Sequence, residues 1–260
     1  MNTLSSIKEK VARSKDLDFG TIFSESIELF KKTWLQGFLL QIFTIVVMLP
    51  LIIVLYIPLI GLVIAQAEGG YGDPDAFSGF FAGMSLLYIL FVFVGIFVLG
   101  AVSVALNAAF FRMMHKLDDN QQVSTSDFFY FLKGKHLSKL MLLMIISTLI
   151  AIPAALLCYI PLIYVIVPMS YFSLVFAFNP ELSVGDIVSA SFSIGNKKWL
   201  ISFGLVIVAS LLSQIVGALL CGIGVLFTAT FVYHPTYLIY KNVIGFEEGS
   251  EIAQIGTSNE

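Results

Sequence analysis

Two apolar patterns alternate along the chain. A helical spacing of three to five residues marks short amphipathic stretches, and each stretch runs into a long uncharged segment. The clearest case is Gly20 to Phe38, which recurs as Gly185 to Phe203 at an offset of 165 with eight identical pairs. Among them are Ile22/Ile187, Ser26/Ser191, Lys32/Lys197 and Trp34/Trp199. A weaker third stretch, SDFFYFLKGKHLSKL, begins at Ser126. A second match, at offset 103, aligns Pro50 and Tyr56-Ile57-Pro58-Leu59-Ile60 with Pro153 and Tyr159-Ile160-Pro161-Leu162-Ile163. It also sets Leu137 opposite Trp34, so the register holds along the whole segment.

The predicted unit is an amphipathic helix, a basic step, an aromatic anchor and a pair of spans. The uncharged run from Thr33 to Ala67 exceeds the roughly 20 residues a bilayer needs, and Pro50 and Pro58 are expected to kink or end it. The second unit turns at YIPLI between spans 137–157 and 162–178. The third turns at Cys-Gly-Ile-Gly between spans 199–220 and 223–241. The predicted fold is therefore an all-α integral membrane protein. It has six transmembrane helices in three hairpins, each introduced by a cytoplasmic interfacial amphipathic helix.

The chain divides into a basic, mobile N-terminal arm (1–17), three amphipathic-helix-plus-hairpin units (18–111, 112–178 and 179–242) and an acidic C-terminal tail (243–260). Asp18 is the expected N-cap of the first amphipathic helix. Residues 57–67 are left as an apolar extension or a separate element.

Composition supports the membrane setting. Hydrophobic residues make up 58% of the 260 and charged residues 12%, and mean hydropathy is +0.94. Lipid must then solvate most of the surface. All fourteen Lys and Arg fall within residues 8–32, 112–139, 197–198 and 241. With six spans these lie on one side, which the positive-inside rule makes the cytoplasm. Both termini are then cytoplasmic, and the expected location is the inner (plasma) membrane. Lys31, Lys32 and Trp34, with Lys197, Lys198 and Trp199, are the expected interfacial anchors.

Candidate chemistry is sparse. His115, His136 and His234 lack metal-ligand spacing, and no P-loop or CxxC pair occurs. No Asp, Glu, Lys or Arg lies within a span, which disfavours a coupled ion pump. No cofactor, metal site or catalytic set is read. Asn107, Ser170 and His234, each on the returning helix of its unit, are candidate cavity-lining residues. The plainer reading is that such polar groups bond between helices. Pro235 frees a carbonyl in the turn before it. Cys158 and Cys221 fall at outer turns, where a disulfide is geometrically open and two buried thiols are the simpler alternative.

The pattern Gly-x-Ile-x-x-Ser with a following Lys-x-Trp, at Gly20 to Trp34 and more loosely at Gly185 to Trp199, resembles multi-helix bacterial membrane proteins related to the membrane domain of glycerophosphoryl diester phosphodiesterases. That resemblance implies a multi-helix membrane fold and carries no activity, since nothing here resembles the soluble catalytic domain. The expected function is a non-enzymatic scaffold or accessory factor in membrane, envelope or lipid processes. The alternative is a transporter or channel for a lipid or small apolar solute. Expected partners are membrane lipids and a protein at the cytoplasmic face, not nucleic acid.

Overall fold

In the computed structural model, residues 3–69, 86–157 and 159–246 are described, and every regular element among them is helical. The elements are α1 (Leu4–Arg13), α2 (Phe19–Gly69), α3 (Leu86–Asp118), a 3-10 helix (Thr125–Leu132), α4 (Gly134–Leu156), α5 (Ile160–Ser170), α6 (Phe172–Phe178), α7 (Val184–Lys197), α8 (Trp199–Leu219), α9 (Val225–Thr228), a second 3-10 helix (Ala229–Val232) and α10 (Tyr233–Val243). Five stretches are long and apolar enough to cross a membrane: Phe19–Pro58, Tyr88–Asp118, Gly134–Leu156, Ile160–Phe178 and Trp199–Leu219. The chain is thus a multi-pass membrane protein by length and composition. The expected sixth span, 223–241, corresponds to helical chain over 225–243 that the 3-10 turn at Ala229–Val232 interrupts.

Several sequence expectations change. The N-terminal arm is an ordered helix: the Thr3 hydroxyl accepts from the Ser6 amide at 3.2 Å, and Ile7 and Val11, one turn apart, are buried where α1 packs on α7. The first amphipathic stretch is not a separate interfacial helix, because α2 runs unbroken through Lys32-Thr33-Trp34 and through both Pro50 and Pro58. Nothing between Phe30 and Leu35 is Gly or Pro, so no local signal stops it. At 1.5 Å per residue its 51 residues extend about 76 Å, more than twice the ~30 Å hydrocarbon layer. Likewise α3 passes through Arg112 to Asp118, so the boundary at 111/112 falls inside a helix. In the second unit the amphipathic stretch is an eight-residue 3-10 helix with Phe128 and Phe131 buried, and α4 begins at Gly134. The loop around residues 68–75 lies largely outside the described residues.

The third stretch does form its own helix. Ser183 caps α7 by accepting from the Asp186 amide at 3.1 Å, and the helix ends at Lys198, whose backbone leaves helical geometry (φ −113°, ψ 25°). Position for position, Asp18 caps the start of α2 by accepting from the Thr21 amide at 2.7 Å.

The apolar faces of these stretches are covered by protein. On α2, Ile22, Ser26, Leu29, Thr33 and Leu40 form one buried stripe that meets the 225–243 helix. On α7, Ile187, Ala190, Ser191 and Ile194 are buried. Gly195 lies so close to Pro168 of α5 that a Cβ there would sit 2.5 Å from the proline Cα. The first 3-10 helix packs on α3. Each amphipathic stretch therefore rests on the helix that ends another part of the bundle: α2 on 225–243, the 3-10 helix on α3, and α7 on α5.

Polar contacts draw the distant charged segments together. Lys32 donates to Asn120 at 3.1 Å, Lys241 to Asp118 at 2.6 Å, Lys116 to Asp127 at 3.1 Å, and Lys139 to the Pro180 and Leu182 carbonyls at 2.6 and 2.9 Å. Lys198 donates to the Lys15 carbonyl. The turn at 220–224 carries no charge and uses left-handed backbone at Cys221 (φ 55°) and Gly222 (φ 84°), as does Tyr159 just before α5 (φ 64°).

Candidate functional site

His234 opens α10 and is wholly buried. Pro235 supplies no N–H, which would strand the Phe231 carbonyl four residues back. His234 Nδ1 lies 3.2 Å from that carbonyl and 3.1 Å from the Thr230 carbonyl. Carbonyls only accept, so Nδ1 carries the proton. Nε2 then accepts from the Thr33 hydroxyl at 2.6 Å, and the same hydroxyl oxygen lies 3.0 Å from the Leu29 carbonyl. Rings of Phe30, Phe110 and Phe231 surround the imidazole with centroids 5.4, 6.2 and 5.8 Å away. Both nitrogens are thus committed to protein groups, and the ring repairs a proline defect while joining α10 to α2.

One turn further along the same contact, Gly37 admits the side chain of Thr230, whose hydroxyl has no hydrogen-bond partner among the described residues. A Cβ at position 37 would collide with that hydroxyl. Phe38 stacks on Phe227 with centroids 4.5 Å apart and planes within 8°. Trp34 flanks the same ring at 6.3 Å.

Asn107 is half-buried on α3. Ser170, at the end of α5, donates to the Val167 carbonyl at 2.7 Å and borders an apolar cleft of about 350 Å³ between α5 and α8. Neither Asn107 nor His234 lines that cleft, so these three residues are not neighbours around it.

The anchor residues part company. Lys31, Lys32 and Lys197 are exposed, and Trp34 is 45% exposed. Lys31 pairs with Glu28 at 2.6 Å. Lys198, by contrast, is 4% exposed. Its ammonium ties the segment before α2 to the start of α8, and burial lowers its pKa, with Asp16 opposing the shift. Trp199 donates its indole N–H to the Tyr164 carbonyl at 3.0 Å and stacks on Phe203 at 4.7 Å. Cys221 is free and exposed, whereas Cys158 lies outside the described residues.

Sequence reasoning missed a cluster at the charged end. Asp118 accepts from Lys241 at 2.6 Å and from Tyr237 at 3.0 Å, and His115 Nδ1 lies 3.4 Å from Asp119. Phe246 packs over His115 at 4.0 Å and over Phe178 at 4.4 Å. Arg112 lies 3.8 Å above the Tyr130 ring centroid. The signal available was the density of charged and aromatic residues at 112–120 and 237–246, but their pairing spans more than a hundred residues. Among the described residues no group of three or more His, Cys, Asp or Glu could hold a metal ion. No protein family, curated protein or solved structure matches the chain.

Proposed function

We propose that the protein is a non-enzymatic, multi-pass scaffold or accessory factor of the inner membrane, serving envelope or lipid processes. The observation that carries this reading is His234: the polar group best suited to line a path is fully buried and spends both nitrogens inside the bundle. The likeness to the membrane domain associated with glycerophosphoryl diester phosphodiesterases rests on the Gly20–Trp34 and Gly185–Trp199 patterns and adds only a membrane setting.

In this reading the 225–243 helix is the sixth span, its 3-10 turn tolerated because His234 satisfies the freed carbonyl. The chain then forms three related hairpins, and the stretch introducing each one packs on the returning helix of another. Matching burial of Ile22 with Ile187, Ser26 with Ser191 and Leu29 with Ile194 supports the repeat. The gathered Lys and Arg residues face the cytoplasm together with both termini, and lipids and a cytoplasmic protein are the partners.

A transporter for a lipid or small apolar solute is the second reading, favoured by the cleft at Ser170. Cysteines placed at Thr230 and Asn107 separate the two when the native cysteines are replaced by serine. Scaffolding expects Thr230→Cys to stay unmodified by a water-soluble maleimide added from either side, with Lys15→Cys as the reactive control. Fast modification of both Thr230→Cys and Asn107→Cys from one side would instead establish an aqueous path.

A further inference from the structure

Around the axis of α1, charge and apolar surface alternate in a definite order. At about 100° per residue, Ile7, Val11 and Leu4 fall within about 60° of arc, with Lys8 about 40° beyond one edge and Lys10 about 60° beyond the other. Glu9, the one acid of this helix, lies on the opposite side and pairs with Arg13 at 2.6 Å. An aliphatic stripe edged by lysines, whose stems lie along apolar surface while their ammonium groups reach outward, suits a bilayer surface with acidic headgroups.

In the structure that stripe rests on α7 instead: Ile7 and Val11 are buried, and Leu4 packs beside them. The hold is small. The ten residues of α1 are fewer than the ~12–15 with which a helix stands by itself in water, so α1 keeps its shape only while the stripe is covered. Residues 14–18 form a non-helical hinge whose far end is fixed. There Lys198 donates to the Lys15 carbonyl, Leu17 packs on the core, and the Phe19 ring lies against Gly204 of α8. One apolar face thus has two surfaces able to cover it, α7 and the bilayer, and it cannot serve both. An anionic leaflet adds its attraction for Lys8 and Lys10 to the second.

We propose that α1 is a releasable strap, docked on α7 in neutral lipid and moved by its Leu4, Ile7 and Val11 stripe to the bilayer surface when that surface carries anionic phospholipid. The strap rests on the membrane-spanning reading but holds for either a scaffold or a transporter. It therefore stands or falls separately from the Thr230→Cys experiment.

The test is a spin-label distance measurement on the full chain in nanodiscs, with both native cysteines replaced by serine and labels at Ser5→Cys on α1 and Lys197→Cys at the end of α7. Discs of phosphatidylcholine alone are expected to give one docked distance. Discs containing phosphatidylglycerol are expected to add a second and to raise the ratio of released to docked strap about thirtyfold at low salt, the scale of two lysines at an anionic surface. High salt should reverse the change. Lys8→Gln with Lys10→Gln is expected to keep the docked distance in both lipids. Ile7→Ser with Val11→Ser removes the stripe and is expected to broaden the distribution in either lipid. Equal release in the two lipids would overturn the proposal, as would a second distance that survives the two glutamine substitutions. A sharp docked distance in the serine pair would overturn it too, by showing that the stripe does not hold the strap.

Discussion

The Nε2 of His234 and the Oγ1 of Thr33 lie 2.6 Å apart across 201 positions of sequence, and this contact fastens the helix that ends the bundle to the helix that starts it. Removing the hydroxyl leaves a buried imidazole nitrogen without a donor. Thr33→Val should therefore cost about 1–3 kcal/mol of stability, whereas Thr33→Ser should recover most of the loss. Thermal unfolding in a fixed detergent measures both, and a Thr33→Val protein as stable as wild type would rule out the contact.

Gly195 and Pro168 set the closest approach of α7 to α5. A methyl at 195 meets backbone that cannot rotate away, so Gly195→Ala should lower stability by about 1–3 kcal/mol. Gly61 offers the control: it is also helical, but nothing lies within 4 Å of its would-be Cβ. There alanine should be neutral or stabilise by about 0.5–1 kcal/mol. Equal effects at the two sites would contradict the packing.

Stacking of Phe38 on Phe227 predicts a coupling of about 0.5–1.5 kcal/mol in a double-mutant cycle of Phe38→Leu and Phe227→Leu. Additive losses would place the rings apart.

How much of this could be read in advance follows from where the information lies. The cap at Ser183, the turn at 220–224 and the long apolar helices are local, written in residue types within a few positions of one another. The break after α7 illustrates the limit. Thr33 and Lys198 occupy the same place at offset 165, yet the helix runs through one and stops at the other. Lys198 is buried against the Lys15 carbonyl while Lys197 is exposed, a difference that adjacent identical residues cannot announce. The docking of α1 rests on Ile7 and Val11 with Leu4 packed beside them, a few apolar residues in a polar segment. Asn107, Ser170 and His234 share a place in the predicted units, but side-chain direction and distant partners such as Thr33 decide which face each occupies.

Sidedness is the central claim, and Cys221 is a built-in reporter of it. In a Cys158→Ser background, a membrane-impermeant maleimide added to intact cells should label Cys221 in the exposed turn at 220–224. Lys197→Cys, with both native cysteines replaced, should react only after permeabilisation. Labelling of both positions from the same side would contradict the six-span arrangement.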